Sequence, residues 1–436
     1  MFDKTFCSSP WFHIRLTYGG NFEYCRWSYR PDREHNIKDT GIMQYYNSEQ
    51  MKKLRLDFLD GKMPKSCSSC YYEQSFDKLT GRIRQLHKSA IDVENFPLTF
   101  RSSPHYQMFL HSYNNNGIGN YYPVDLQIEL GNICNSGCIM CGPTLSSKLE
   151  KDYKKLSKIS TLFRDSANKI NNWSQDKTLL EKLILELNSF TKIQYIHFLG
   201  GETLYQDAFY DICDQLIENN KAKEIIIGTT TNGTIYNTKL EKLISHFKEV
   251  HLGISIETVS NLNDYIRYPS KIQNVLANID KFLELRNKNN NLYLSLRITP
   301  NVFTIFELDK LFEFMIEKNI TAESCDILVE PSCLRMELLP EDIRNEIITK
   351  FDNLIHKYQL TKTHLVNERR KDLIDKVIAN TIIDYNSFIK KYTQPKDIEQ
   401  QRYNLVEWLK SFEQLRNNSI LDYAPRYEKF LRSYNY

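Results

Sequence analysis

No run of apolar residues in this 436-residue chain approaches the roughly twenty that a membrane-spanning helix needs. The first residues, MFDKTFCSSPWFHIRL, lack a basic segment followed by an apolar one, so no secretory leader is expected. An excess of one charge is missing too: 57 Lys and Arg stand against 54 Asp and Glu, a net of +3. That balance makes no case for an obligate nucleic-acid or membrane partner. There is no internal repeat. The expectation is a cytoplasmic protein, and in a reducing compartment ten cysteines point to metal or catalysis before disulfides. Core material is ample, at 41% apolar and 12% aromatic residues. The length suits two or three domains, or one large α/β unit with additions.

The organisation changes along the chain. Residues 11–25 alternate apolar and polar around Gly19-Gly20, the pattern of a β-hairpin, and residues 50–60 have helical spacing. A Ser-, Asn- and Gly-rich stretch follows over 102–121 and reads as a linker. From 124 onward short β-like runs alternate with amphipathic helices. The runs lie at 124–130, 195–200, 224–230, 249–257, 292–299 and 325–330. One intervening helix puts Ile272, Val275, Leu276, Ile279, Phe282 and Leu283 on one face. This βα repeat predicts a parallel sheet with helical crossovers. After Pro340 the chain is mostly helical and charged.

The runs themselves are unusual, because parallel strands covered on both faces should be almost continuously apolar. Here Asp125, Gln127 and Glu129 share one face of the first run, and His251, Gly253, Ser255 and Glu257 one face of the fourth. Ser295, Arg297 and Thr299 do so on the fifth, Asp326 and Glu330 on the sixth. A period of two puts each polar set on one side of the sheet. The expectation is an incomplete barrel with a wet, charged interior; the plainer alternative is a sheet with one solvated face.

Directly after the first run comes GNICNSGCIMCGP, with Cys134, Cys138 and Cys141 spaced C-x3-C-x2-C. A structural zinc site is usually closed by four ligands, and a disulfide needs two. Neither flank, DLQIEL or GPTLSSKLEKDY, offers a fourth Cys or His, so one metal position stays open. In α/β barrels the loops after the strands build the active site. The second run ends in FLGGETL and the third in TTTNG, so several strand ends converge on the same mouth.

These residues resemble the radical S-adenosylmethionine (SAM) superfamily, over about 122–335. The resemblance implies a partial, TIM-like (βα)6 barrel in which three cysteines hold a [4Fe–4S] cluster and SAM fills the open iron. Carried over position by position, Cys134, Cys138 and Cys141 are the cluster ligands. Gly200, Gly201 and Glu202 meet the methionyl amino group. Ser255 meets the ribose, and Arg267 in NDYIRYPS pairs with the SAM carboxylate. Met140 stands near adenine, where the family usually has an aromatic or other bulky apolar residue, and Asn232 in the TNG turn is a further contact. The cofactor then supplies the chemistry, and the protein positions one C–H bond.

A second set, Cys7, Cys25, Cys67 and Cys70, is spaced C-x17-C-x41-C-x2-C. Four thiolates there suit zinc or an iron–sulfur cluster, and spacing does not choose. The surrounding text is similar to SPASM/twitch modules that carry an auxiliary cluster in radical SAM enzymes. Those modules usually follow the barrel; here the cysteines precede it. Only Tyr24-Cys25 stands where two adjacent cysteines are common. The implied division is a cysteine-rich module at 1–100, a linker at 101–121, the core at 122–335 and a helical region at 336–436.

For the substrate step, Arg297 and Glu330 lie nearest the carboxyl ends of their runs and rank above His251, Glu257 and Asp326. His197 reads as a satisfied core histidine, Asp207 as a helix N-cap, Cys213 and Cys325 as core residues, and Cys333 as a residue near the mouth. The resemblance implies SAM cleavage to a 5′-deoxyadenosyl radical that takes hydrogen from a peptide or small molecule, for oxidation or radical bond formation. The expected electron donor is of the flavodoxin or ferredoxin kind. Two rival readings are a redox-neutral epimerase or mutase with a structural N-terminal metal, and a non-catalytic, zinc-stabilised binding protein.

Overall fold

The computed structural model describes residues 5–26, 34–68, 70–71, 81–92, 95–163, 172–325, 327–362 and 374–436. Eight strands form one open sheet in the order β2-β1-β3-β4-β5-β6-β7-β8. They are β1 (His13–Leu16), β2 (Phe22–Glu23), β3 (Asp125–Glu129), β4 (Tyr195–Leu199), β5 (Ile226–Thr231), β6 (Glu249–Ser255), β7 (Leu292–Ile298) and β8 (Thr321–Cys325). All neighbours from β1 through β3 to β8 are parallel; only β2 runs against β1. The expected α/β partial barrel with a helical C-terminal region is what forms.

Register shows why the strands alternate. Leu126, Ile196, Ile227, Val250 and Leu292 lie side by side across five strands, all buried on the helix-covered face. The next row, Gln127, His197, Gly228, His251 and Tyr293, faces the other way. Glycine is required within that row: a Cβ at Gly228 would sit 2.2 Å from the Tyr195 hydroxyl. The helix Ile272–Lys288 buries Ile272, Val275, Ile279 and Phe282 as its periodicity requires.

The N-terminal hairpin is real but belongs to the main sheet. Gly20, at φ +82°, closes its turn and donates its amide to Thr17 O. β1 then pairs in parallel with β3, His13 against Asp125 and Arg15 against Gln127, so the sheet runs through residues 1–100 into the barrel. The stretch read as a linker carries the helix Tyr106–Asn114, whose Phe109 is fully buried. Arg55, also fully buried, donates to Pro10 O, Tyr46 O and Gly117 O and staples this segment to the helix Glu49–Leu59.

Two expectations fail at the last strand. The sixth run was placed at 325–330, but β8 is Thr321–Cys325. The preceding helix ends at Lys318 on Asn319, which takes a left-handed φ of 49°, and the chain enters the sheet almost at once. Glu330 therefore lies beyond the strand and is exposed, not directed into the barrel. Asp326 and the side chain of Cys325 lie outside the described residues. The far edge is covered by the helix Ile374–Lys391, which packs on β8. Among the described residues no helix is long and apolar enough to cross a membrane.

Phe6 anchors the N-terminal core. Its ring centroid lies 4.9–6.4 Å from those of Trp11, Phe58, Phe96, Phe100 and Phe109. Phe6→Ala is expected to cost about 3–5 kcal/mol in denaturant unfolding; a loss below about 1 kcal/mol would show that this cluster does not hold the region together.

Candidate functional site

The cysteine loop leaves the carboxyl end of β3 under tight steric constraint. Gly131 has φ +113°, and a Cβ there would meet Asn172 Oδ1 at 2.3 Å. Gly201, φ +51°, lets the second strand end press on the loop: its Cβ would fall 2.0 Å from Ile133 O. The Glu202 amide donates to that same carbonyl at 2.8 Å. Ser146 caps the helix Ser147–Leu156 and donates its hydroxyl to Ser136 O at 2.6 Å. The Gly137 and Ile139 amides donate to Tyr268 O and Ile266 O at 2.7 and 2.9 Å. The Ser136 amide meets Cys134 Sγ at 3.4 Å.

All three thiols of this loop are free, and burial pushes them up, Cys134 and Cys141 to about 12. Glu202 is 1% exposed, and burial raises its carboxyl as well. It accepts from Thr231 Oγ1 at 2.7 Å, the Asn232 amide at 2.6 Å and the Leu204 amide at 3.1 Å. A carboxylate has about four acceptor positions, so one remains. Asn232 donates Nδ2 to Asn135 Oδ1 at 2.7 Å and Ser136 Oγ at 3.0 Å, tying the third strand end to the cysteine loop.

Arg267 comes from the segment after β6. Its Nη2 binds the fully buried Glu257, and its Nη1 lies 3.9 Å from Cys138 Sγ. Glu257 Oε2 accepts from the Thr299 amide at 2.8 Å. The buried Arg267 Nε has no partner. Glu257, read from sequence as an independent barrel-facing candidate, is thus the partner of Arg267. Met140 Sδ lies 3.7 Å from Asn301 Nδ2, and Ser255 stands opposite Arg297 in register. Arg297 packs across Gly253, where a Cβ would approach its Nε to 2.9 Å. His251, half-exposed, pairs with Glu249 at 2.9 Å, and burial holds the His197 ring well below the usual imidazole range. Asp207 is the first residue of its helix, not the N-cap, which is Gln206.

The barrel face is less open than a wet interior requires. Arg15 bridges Glu23 and Glu129 at 2.7 Å each, and Lys88 and His13 both hold Asp125. Burial alone would raise the Asp125 carboxyl; Lys88 and then His13 outweigh it and keep it well below the carboxylate range. Ion pairs occupy the side of the barrel next to β1.

The four N-terminal cysteines line one small pocket, together with Tyr24, Tyr71 and Arg82. The Tyr24 hydroxyl lies 3.8 Å from Cys67 Sγ and 2.6 Å from Ser66 Oγ. Burial pushes the Cys7 thiol to about 12 and raises Cys67. Cys213 and Cys333 are buried in the core. Among the described residues no three His, Cys, Asp or Glu side chains converge as they would on a single metal ion.

Sequence reasoning missed one contributor. The helix Ile398–Arg416 touches the cysteine loop through Trp408 and Arg416. The available signal was an arginine on the apolar stripe Trp408, Phe412, Arg416, at i, i+4, i+8.

Residues 128–313 match the model of the Radical SAM superfamily. No curated protein matches the chain. Among solved structures the chain is similar to native anSMEcpe with bound AdoMet, at 18% identity over 54% of this chain and 62% of that one, TM-score 0.38. It thus spans less than two thirds of that protein's length. It is also similar to Streptococcus suis SuiB bound to S-adenosylmethionine, at 13% identity over 79% and 69%, TM-score 0.35. SuiB bound to precursor peptide SuiA gives 11% identity over 81% and 70%, TM-score 0.37. At this level of similarity, reaction and substrate have to be read from the chain's own residues.

The Arg267–Glu257 pair is buried enough for its loss to be measurable. Arg267→Met leaves the carboxylate without its cation and is expected to cost about 3–5 kcal/mol in unfolding of the cluster-free protein. Pairing it with Glu257→Gln should recover part of that loss. A single-variant cost below about 1 kcal/mol, the range of an exposed pair, would contradict the burial of this bridge.

Proposed function

We propose, from the match of residues 128–313 to the Radical SAM superfamily model, that the protein abstracts a hydrogen atom from a peptide or small molecule, for oxidation or radical bond formation. The observation that carries this reading is the convergence of Glu202, Asn232 and Arg267, from three other strand ends, on the loop of Cys134, Cys138 and Cys141. The three cysteines would hold a [4Fe–4S] cluster and leave one iron for SAM. The chemistry supplied by cluster and SAM is reductive cleavage to a 5′-deoxyadenosyl radical that takes the substrate hydrogen.

The chain's own groups bind and orient. Glu202 keeps one acceptor position for the methionyl ammonium, and its charge is felt at Cys134. The unpartnered Nε–H of Arg267 serves the SAM carboxylate. Ser255 takes the ribose, and Met140 packs toward adenine. Arg297 is retained as the substrate-side candidate; Glu330 is not, being exposed beyond β8.

The four N-terminal cysteines would hold a second, auxiliary iron–sulfur cluster. Support comes from the four thiols lining one pocket, in which no other side chain is a histidine or carboxylate. Its role would be to accept one electron from the substrate radical left by hydrogen abstraction. Electrons for SAM cleavage would come from a donor of the flavodoxin or ferredoxin kind.

Anaerobic reconstitution tests both assignments. About eight irons per chain are expected, two cubane clusters' worth, with 5′-deoxyadenosine formed from SAM and dithionite. Cys134/Cys138/Cys141→Ala should lose the product and keep the N-terminal iron. Cys67/Cys70→Ala should keep SAM cleavage and lose that second set. Zinc at both sites with no SAM cleavage would overturn the reading.

A further inference from the structure

The helix Ile398–Arg416 lies outside the matched domain, yet it reaches the cysteine loop at two points. Trp408 Nε1 donates to Ile139 O at 3.2 Å, and Arg416 Nη2 donates to Gly137 O. These two carbonyls flank Cys138. The amides of the same two residues are held on the other side by Ile266 O and Tyr268 O. Cys138 is clamped between two walls, one from the barrel and one from the C-terminal helix.

Arg416 is an unusual wall residue. Its side chain is 2% exposed, and its Nε and Nη1 have no hydrogen-bond partner. The guanidinium lies 4.3 Å from the Phe412 ring centroid and 4.8 Å from that of Tyr268. The nearest carboxylate, Asp152, stands 3.9 Å away from Nη2. Ring faces offset part of the desolvation of a cation, and Asp152 is too far for a close charge-assisted bond. The remaining imbalance favours negative charge at the loop, where Arg416 already holds Gly137 O next to Cys138. On the opposite side the charge is already balanced, since Arg267 is paired with Glu257. A cluster gains negative charge on reduction, so a buried cation beside one ligand favours the reduced form.

We propose that Arg416 is a positioning residue of the cluster site: it fixes the backbone at Cys138 and raises the reduction potential of the cluster held by Cys134, Cys138 and Cys141, with Asp152 as the opposing charge. This rests on the radical SAM reading above.

The test is a potentiometric titration of the full-length, anaerobically reconstituted protein, with iron counted in every sample. The signal followed is the EPR signal that changes on adding SAM. Arg416→Met is expected to retain its iron and to be reduced at least tenfold less readily, 59 mV for a one-electron couple. Arg416→Lys, which keeps the charge, should restore most of the shift. Asp152→Asn should move the potential the opposite way, and it keeps the proposal testable should Arg416→Met fail to fold. Unshifted potentials with full iron, or Arg416→Met and Asp152→Asn shifting in the same direction, would overturn the assignment. A wild-type protein that holds iron but shows no SAM-responsive signal would overturn the functional reading itself and this proposal with it.

Discussion

The backbone of residues 132–141 has almost no freedom, and the rest of the site follows from that. β3 delivers the chain to Gly131, where Asn172 leaves no room for a side chain. The second strand end closes in from one side, because Gly200 and Gly201 let backbone touch backbone. Ser146 and Ser147 hold the loop from the following helix, and Tyr268 and Ile266 hold it from the segment after β6. Side chains that must face one ligand are placed by backbone contacts, which are stiffer than rotamers. The three thiols, Glu202, Asn232 and Arg267 are therefore mutually positioned by contacts of the chain with itself.

The same sheet connects this loop to the N-terminal cysteines. β1 adds to β3 in parallel, and Arg15 on β1 binds Glu129, two residues before Gly131, as well as Glu23 on β2. The two ion pairs of Arg15 join β2 and β1 to the root of the cysteine loop. Buried ion pairs are weak sources of stability but penalise any rearrangement that separates them. Their use here fixes the relative placement of two cysteine sets that lie far apart in sequence.

Much of this was legible in the sequence, for identifiable reasons. Strands β3 to β7 announce themselves because their two faces differ, so alternation survives even in a parallel sheet. The three-cysteine loop and the GGE stretch are local patterns with a chemical reading, whereas Arg267 came only through the family resemblance. Three features were not legible. β8 is Thr321–Cys325, although the segment after it, with Ile327, Leu328 and Val329, is richer in strand-forming residues. There the stop of the preceding helix at Asn319, not propensity, decides where the strand begins. The pairing of β1 with β3 joins residues more than a hundred positions apart and leaves no local mark. Arg416 looks like an ordinary exposed helix end until the cysteine loop is seen against it.

Hydrogen exchange of the cluster-free protein tests the central point most directly. If packing alone preorganises the loop, the Gly137 and Ile139 amides, bonded to Tyr268 O and Ile266 O, are expected to exchange as slowly as those of neighbouring β3. Exchange at the rate of an unstructured chain would mean that the loop is shaped only when its cofactor binds, and would contradict the account.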